Sequence, residues 1–256
     1  MTEPASQVNP RFAGVARLYG ADGFARLQHA HVCVVGLGGV GSWTVESLAR
    51  SGVGALTLVD LDDVCISNVN RQLHALDTTI GQGKTEALAA RIRLINPDCR
   101  VTALPMFFKK TTADQILATP FDYVVDAIDG VAHKARLIGM CKLKNIPVIT
   151  CGGAGGKTDA SMVTIRDLTQ TIYDPLMAFI RKRLRKWFHF PRGDRKFGVP
   201  CVFSTEQVPG EPSRACDPGE DGVRANCDFG LGAAAHVTGT FGLLAAGYVV
   251  NAIAGK

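Results

Sequence analysis

The chain has 256 residues, of which 46% are hydrophobic, and 28 basic against 23 acidic residues give a net charge of +5 at pH 7. This length and composition predict one large domain with a substantial core and exclude a disordered or low-complexity chain. The amino terminus carries neither a basic cluster nor an apolar stretch, so we predict no secretory signal.

Strand and helix patterns alternate along the first two thirds of the chain. This alternation predicts an α/β fold with a doubly wound, mostly parallel, Rossmann-like sheet, in which ligands bind outside the carboxyl ends of the strands. Apolar runs predict strands at 31–36, 55–60, 100–104, 122–126, 147–150 and 161–166, and helical periodicity predicts helices at 41–51, 83–95, 111–118, 132–145 and 174–188.

The turn after the first strand is rich in glycine and reads GLGGVG. Gly36 permits a tight turn, Gly38 lets a phosphate approach the backbone, and Gly41 lets the next helix pack closely on the strand. The amino end of that helix, near Ser42, offers N–H groups to an anion, and Asp60 at the end of the second strand can accept hydrogen bonds from a ribose. The pattern predicts a nucleotide site; the alternative is a glycine turn that only packs.

Polar residues gather directly after Asp60, from Asn68 to Gln72. Lys84 stands at the start of the next helix, where a cation opposes the helix dipole, so we expect it to meet an anion. Arg71 and Lys84 together can bind a triphosphate, whereas a dehydrogenase would not need two cations there.

Two carboxylates end the strand predicted at 122–126. We expect Asp129 to support Mg²⁺, which prefers few protein oxygens plus phosphate. Asp126 fits either a nucleotide site or a helix cap.

The positive charge is concentrated in residues 181–196, where eight basic residues accompany Asp194 alone. Trp187, Phe188 and Phe190 interleave with them, which is typical of a surface for RNA phosphates and stacked bases. A solvated amphipathic helix is the alternative. The basic residues are Arg181, Lys182, Arg183, Arg185, Lys186, Arg192, Arg195 and Lys196.

The carboxyl-terminal part combines loops and an apolar tail. Residues 190–230 are rich in glycine and proline and are interpreted as long loops. From Phe229 to Gly255 there is no acidic or basic residue other than histidine. This uncharged stretch is long enough to span a bilayer. A helix buried against the sheet is favoured, and membrane association stays open. We therefore divide the chain into an amino-terminal segment (1–30), a nucleotide-binding core (31–166), and a basic helix, loops and final helix of the same domain (167–256).

No two of the eight cysteines are spaced as CxxC, which argues against a zinc ribbon and a disulfide framework and favours a reducing cytoplasm. Cys201 and Cys227 are interpreted as structural, with a thioester or persulfide role as the alternative. His74 and His236 are expected to be satisfied, buried histidines rather than bases.

Together these motifs resemble the ubiquitin-activating-enzyme-like superfamily of ThiF, MoeB and HesA proteins. The matching stretches are GLGGVGS at 36–42, LVDLDDVCISNVNRQ at 58–72, IGQGK at 80–84, INP at 95–97 and DAID at 126–129. The resemblance implies adenylation of a carboxylate by ATP with Mg²⁺. It implies catalytic roles for Asn68, Arg71, Lys84 and Asp129, with Asp129 the metal ligand, and nucleotide contacts from Gly36, Gly38, Gly39, Gly41, Ser42, Asp60, Asp62, Asn70, Arg71, Gln72, Lys84 and Asp126.

Further stretches are similar to a narrower branch, the tRNA threonylcarbamoyladenosine dehydratases. They are RFAGVARLYG at 11–20, CGGAGGKTD at 151–159, DLTQTIYDPL at 167–176, CVFSTE at 201–206 and CDFGLGAA at 227–234. This resemblance implies ATP-dependent cyclisation of threonylcarbamoyladenosine at position 37 of tRNA. It also implies a homodimer, an alkali cation (K⁺ or Na⁺) and a partnership with a cysteine desulfurase and sulfur-acceptor system. The arginine that reaches the partner's ATP in sulfur-carrier relatives is replaced by Gly14, which leaves Arg11 or Arg17 for that role.

Three rival functions remain at this stage. An adenylyltransferase for a ubiquitin-like sulfur carrier predicts no tRNA binding and a need for zinc. An NAD-dependent oxidoreductase shares the glycine fingerprint but leaves Arg71 and Lys84 unexplained. A non-catalytic nucleotide-binding scaffold does not require the intact site residues.

Overall fold

The structure, a computed structural model, describes residues 9–193, 195–208 and 231–256. Strands in these residues are β1 (His31–Val35), β2 (Ala55–Val59), β3 (Arg100–Leu104), β4 (Tyr123–Asp126), β5 (Val148–Cys151), β6 (Val163–Asp167) and β7 (Pro200–Ser204). Helices are α1 (Ala13–His29), α2 (Gly41–Arg50), α3 (Lys84–Ile95), α4 (Ala113–Ile116), α5 (Val131–Leu143), α6 (Pro175–Phe188) and α7 (Ala235–Ala254).

The strands form one seven-stranded sheet in the order β3-β2-β1-β4-β5-β7-β6. All neighbouring pairs are parallel except β6 and β7, which run antiparallel at the edge. The strand order reverses between β1 and β4, and ligands of such sheets bind at this reversal, outside the carboxyl ends of the strands. The doubly wound, mostly parallel fold predicted from the sequence is confirmed.

The inner strands β1, β2, β4 and β5 are buried on both faces because helices cover both sides of the sheet. Val32 and Val34 of β1 belong to the core shared with α1, α2, α3 and α7. Cys33 and Val35 face the opposite core, which α4, α5 and α6 complete. The period of two along β1 therefore separates the two hydrophobic layers.

Helix α7 is long and apolar enough to cross a bilayer, yet 56% of its most apolar stretch is buried in the protein. It packs on α2 at Gly242, where an added Cβ would lie 2.5 Å from the carbonyl oxygen of Val40. Thr44 Oγ1 of α2 donates a hydrogen bond to the Gly242 carbonyl at 3.2 Å. The helix packed against the rest of the protein that the sequence favoured is therefore present, with one side buried and Leu243 and Tyr248 exposed on the other.

Two elements were not anticipated. Helix α1 fills most of the segment at 1–30, and it bends at Gly20, whose φ is +75°. Strand β7 lies within the stretch interpreted as loops and inserts between β5 and β6, so the division at residue 166 falls inside the sheet. The helix predicted at 111–118 shortens to the single turn α4.

Candidate active site

The glycine turn lies between β1 and α2 at the reversal of strand order. Gly36 has a φ of +88°, and a Cβ on it would lie 2.7 Å from the carbonyl oxygen of Ala127. A Cβ on Gly41 would lie 1.8 Å from the carbonyl oxygen of Gly36, so only glycine allows this approach of helix to strand. A Cβ on Gly38 would have only the Gln72 amide nitrogen near it, at 3.8 Å, which leaves the backbone of Gly38 open to a ligand.

The amino end of α2 is suited to an anion. No side chain caps this helix, and the Ser42 N–H donates to the Gly38 carbonyl at 3.1 Å, so an anion would be met mainly by the N–H groups of the glycine turn that leads into the helix. Gly39 packs against Arg71 and Thr238, and a Cβ added to it would lie 3.3 Å from Arg71 Cγ. The glycine turn, the polar segment (residues 68–72) and α7 are therefore in contact with one another.

Asp60 stands at the carboxyl end of β2 and is held by the same turn. It accepts hydrogen bonds from the Leu37 N–H at 2.7 Å and the Asp62 N–H at 2.9 Å. Burial raises the pKa of Asp60, while the charge of Lys84 and these two donors oppose that rise. The fixed carboxylate retains lone pairs toward the crevice, which is the arrangement expected for recognising a ribose.

Arg71 follows a short 3-10 turn over Ile66–Asn68. Its Nη1 donates to the Ser67 carbonyl at 2.8 Å and to Asn70 Oδ1 at 3.0 Å. Its backbone carbonyl accepts a hydrogen bond from Trp43 Nε1 at 3.1 Å. The guanidinium is thus carried on a backbone anchored to α2.

Asn68 and Asn70 also help to shape this segment. The buried Asn68 accepts a hydrogen bond from the Cys65 N–H at 3.1 Å, which closes the 3-10 turn. Asn70 Nδ2 donates to the Ala233 carbonyl at 2.7 Å, just before α7. Both amides therefore fix the position of Arg71 relative to the final helix.

Lys84 is a largely buried cation at the start of α3. Its side chain is 8% exposed, and Nζ lies 3.3 Å from Asp62 Oδ2, on a carboxylate that is 45% exposed. The Lys84 N–H donates to the Asp62 carbonyl at 3.0 Å, which fixes the turn of the chain there. A buried ammonium needs strong anionic partners. A phosphate bound in the crevice would provide more negative charge than the Asp62 carboxylate alone.

Ser42 and Asp126 are enclosed by protein in this structure, and their expected contacts with a nucleotide stay a prediction. The Ser42 side chain accepts a hydrogen bond from the Leu73 N–H at 3.2 Å. Asp126 lies 3.0 Å from Lys134 Nζ and accepts a hydrogen bond from Thr150 Oγ1 at 2.6 Å. Neither residue has exposed surface, so both hold the site together from beneath it.

Asp129 lies in the loop between β4 and α5 and is exposed. No group of three or more His, Cys, Asp or Glu residues that could hold a metal ion occurs in the described part of the chain. Asp129 alone offers one exposed carboxylate, and Mg²⁺ commonly combines one protein carboxylate with phosphate oxygens and water.

The basic segment forms α6 and the chain after it, but its charges do not all face outward. Arg183 is only 9% exposed and stacks on Trp187 at 4.9 Å, and Arg181 donates to the Thr171 carbonyl at 3.2 Å. Arg185 is partly buried against Phe197. These contacts correct the expectation that all eight basic residues form one surface. Lys182, Lys186, Arg192, Arg195 and Lys196 are exposed.

The cysteines and histidines differ from expectation in part. Cys201 is buried in β7, and burial raises the pKa of its thiol well above the usual value, so a thiolate role is disfavoured. Cys227 lies outside the described residues. His236 is exposed, with Nε2 3.0 Å from the Thr158 carbonyl oxygen.

His74 is buried as expected, but neither ring nitrogen has a hydrogen-bond partner among the described residues. Burial, and then the charge of Lys84, lower the pKa of His74 to about 4, so the ring is neutral at pH 7. It is therefore a buried but unsatisfied histidine beside the candidate phosphate site.

Comparisons with known proteins agree with this geometry. The family model described as ThiF family matches residues 12–256. The tRNA threonylcarbamoyladenosine dehydratase of Haemophilus influenzae is 47% identical over 248 residues, which cover 96% of this chain and 94% of that protein.

Solved structures give the same result. The Escherichia coli tRNA N6-threonylcarbamoyladenosine dehydratase, TcdA, in complex with ATP matches with a TM-score of 0.85 and 45% identity, covering 95% of this chain and 93% of that one. Its complex with AMP matches with the same TM-score, identity and coverage.

Proposed function

Because the chain belongs to the ThiF family, we propose that it is an ATP-dependent dehydratase that cyclises threonylcarbamoyladenosine at position 37 of tRNA. The observation that carries this proposal is the likeness to a tRNA threonylcarbamoyladenosine dehydratase over 96% of the chain. It extends beyond the nucleotide-binding strands to α6, β7 and α7, where the substrate would have to be recognised.

The reaction begins with the carboxylate of the modified nucleoside. A free carboxylate resists attack, so its oxygen first attacks the α-phosphate of ATP, and pyrophosphate leaves. A nitrogen of the same nucleoside then attacks the acyl carbon, and AMP leaves with the carboxylate oxygen. The second step is intramolecular, for which effective molarities of about 10⁵ M or more are known, so no covalent cysteine relay is needed.

The residues of the crevice have corresponding parts in this proposal. Arg71 and Lys84 stabilise the charge that gathers on the phosphate oxygens, with help from the N–H groups of the glycine turn. Asp60 holds the ribose, and Gln72 and Asn70 border the nucleotide. Asp129 would hold Mg²⁺, which would supply positive charge to the phosphate oxygens.

The exposed basic residues of 182–196 are proposed to hold tRNA by its phosphates. Lys182 and Lys186 occupy one side of α6, and the chain that follows adds Arg192, Arg195 and Lys196. Phosphate contacts of this kind position an RNA substrate without reading its sequence.

A homodimer is also proposed. Exposed apolar side chains concentrate around the polar segment, including Leu61, Ile66, Val69 and Leu76, which are 47–68% exposed. Such a patch beside a crevice is typical of a protein interface. Sedimentation velocity on the intact chain measures the oligomeric state directly.

The remaining parts of the proposal are a cytoplasmic location, an alkali cation and a sulfur-transfer partner. Of the cysteines that the structure describes, Cys65 alone is exposed. A persulfide relay to the partner would therefore need Cys65, or Cys216 or Cys227, which lie outside the described residues.

ATP–pyrophosphate exchange tests the proposed function. Exchange should appear with tRNA that carries threonylcarbamoyladenosine and be absent with unmodified tRNA. Exchange that requires a carrier protein with a Gly-Gly tail would instead support a sulfur-carrier adenylyltransferase, and NADH binding without exchange would support an oxidoreductase.

A further inference from the structure

Tyr173 has an unusual backbone and an exposed ring. Its φ is +52°, a left-handed conformation that residues other than glycine seldom adopt. The other positive-φ residues of this kind in the described chain, Asn145 and His189, follow the ends of α5 and α6, where that conformation is ordinary. Tyr173 instead precedes a helix, and its side chain is 53% exposed.

Buried polar contacts on both sides hold Tyr173 in this conformation. Lys157, which is 5% exposed, donates from Nζ to the Tyr173 carbonyl at 3.3 Å. The next residue, Asp174, is 8% exposed and accepts hydrogen bonds from the Gly153 N–H at 2.9 Å and the Met177 N–H at 3.0 Å. The strained backbone is therefore fixed by its surroundings, and such strain concentrates at functional sites.

These contacts also place Tyr173 relative to the crevice. Gly153 follows the carboxyl end of β5, which pairs with β4, the strand that leads to Asp129. Because the Asp174 carboxylate accepts a hydrogen bond from the Gly153 N–H, the neighbouring Tyr173 lies near the carboxyl end of β5, on the edge of the sheet that carries the candidate site. Tyr173 also leads directly into α6, which carries the exposed lysines.

We propose that Tyr173 is a stacking residue, whose ring receives a base of the tRNA anticodon loop and so positions the modified adenosine at the crevice. A rigidly mounted, exposed aromatic ring recognises unstacked RNA bases by their faces, whereas lysines recognise phosphates. This assignment rests on the proposed function, because it identifies an anticodon-loop base as the part of the tRNA substrate that contacts the protein near the carboxyl end of β5.

The test compares tRNA binding of Tyr173→Gly, Tyr173→Phe and the wild type, with Tyr248→Gln on α7 as a control for an exposed tyrosine elsewhere. Glycine accepts the left-handed backbone, so Tyr173→Gly should fold with an unfolding midpoint no lower than that of the wild type. Its affinity for tRNA should fall about fivefold or more, the loss of one stacking contact of about 1 kcal/mol or more. Tyr173→Phe and Tyr248→Gln should bind as the wild type does.

The salt dependence separates stacking from phosphate contact. Loss of a stacked base should weaken binding at every salt concentration without changing the slope of log affinity against log salt. Binding of Tyr173→Gly within twofold of the wild type, or a reduced slope, overturns the inference. A wild type that binds no tRNA overturns the proposed function itself, and ATP–pyrophosphate exchange of Tyr173→Gly at saturating tRNA shows that the crevice is intact.

Discussion

Lys84 shows how one side chain links burial to chemistry. It begins α3, is nearly enclosed, and has Asp62 as the only ion-pair partner found for it among the described residues. A half-exposed carboxylate compensates only in part for burying the ammonium charge, and a bound phosphate would stabilise that charge further. Arg71 packs on the glycine turn, where a Cβ on Gly39 would lie 3.3 Å from Arg71 Cγ.

Replacing either cation with alanine should abolish most of the activity. Lys84→Ala and Arg71→Ala each remove a group that stabilises charge in the transition state, so pyrophosphate exchange should fall by about 10²–10³-fold. Lys144→Ala is the matched control, because Lys144 pairs with Asp114 at 3.6 Å, away from the crevice. Exchange near the wild-type rate in Lys84→Ala would reject its assigned role.

His74 predicts a specific pH dependence of stability. An unfolded histidine titrates near 6.5, whereas burial lowers the pKa of folded His74 to about 4. Below pH 6.5 the unfolded chain therefore binds a proton that the folded chain refuses, and stability is lost as the pH falls toward 4. Between pH 7.5 and 5.5 the wild type should lose about 1 kcal/mol more than His74→Leu, as measured by urea unfolding. Parallel losses in the two proteins would show that His74 is not neutral in the folded state.

At the scale of elements, α7 and α2 form a close helix pair that supports the glycine turn. The contact depends on Gly242, where a Cβ would lie 2.5 Å from the Val40 carbonyl oxygen and 2.8 Å from Trp43 Cβ. Because Trp43 also donates a hydrogen bond to the Arg71 carbonyl, this packing extends to the nucleotide site.

Two glycines of α7 give a matched pair of substitutions. Gly242→Ala should lower the free energy of unfolding by about 1–3 kcal/mol, because the neighbouring atoms are backbone and cannot move aside cheaply. A Cβ added to Gly247 would have no atom within 4 Å. Gly247→Ala should therefore raise the free energy of unfolding by about 0.5–1 kcal/mol. Equal effects in urea unfolding would contradict the described packing of α7 on α2.

Helix α6 predicts the electrostatic part of tRNA binding. Reversing Lys182 and Lys186 to glutamate should weaken binding and reduce the slope of log affinity against log salt by about 2. The double control Arg93→Glu with Lys144→Glu changes the net charge equally on other elements and should leave the slope close to that of the wild type. An unchanged slope in the α6 variant would remove this surface from the proposal.

Local patterns in the sequence predicted the elements and site features that depend on local chemistry. The glycine turn and the inner strands β1, β2, β4 and β5 were predictable, since Gly36 and Gly41 need particular backbone geometry and these strands are mostly apolar runs. Burial of Ser42, Asp126 and Arg183 was not, because it depends on which side of an element the rest of the chain covers. The short run of β7 could not be separated from its glycine- and proline-rich surroundings, although its apolar residues were a usable signal.

On the scale of the whole molecule, each of the two hydrophobic layers supports a different part of the candidate site. The layer with α1, α2, α3 and α7 supports the glycine turn and the polar segment, whereas the layer with α5 and α6 supports Asp126, Lys134 and the exposed basic residues. The sheet separates the two layers, and its strand order reverses between β1 and β4, where both faces border the candidate crevice. A nucleotide and an RNA substrate can therefore approach one crevice from different sides.

The proposed cyclisation is tested by mass spectrometry of tRNA nucleosides. The purified protein is incubated with ATP and with tRNA that carries threonylcarbamoyladenosine, and the nucleosides of that tRNA are then analysed. That nucleoside should be converted to a product lighter by one water, with AMP and pyrophosphate formed in equal amounts and no conversion without ATP. An unchanged nucleoside in the presence of ATP, under conditions in which the protein binds both substrates, would contradict the proposed cyclisation.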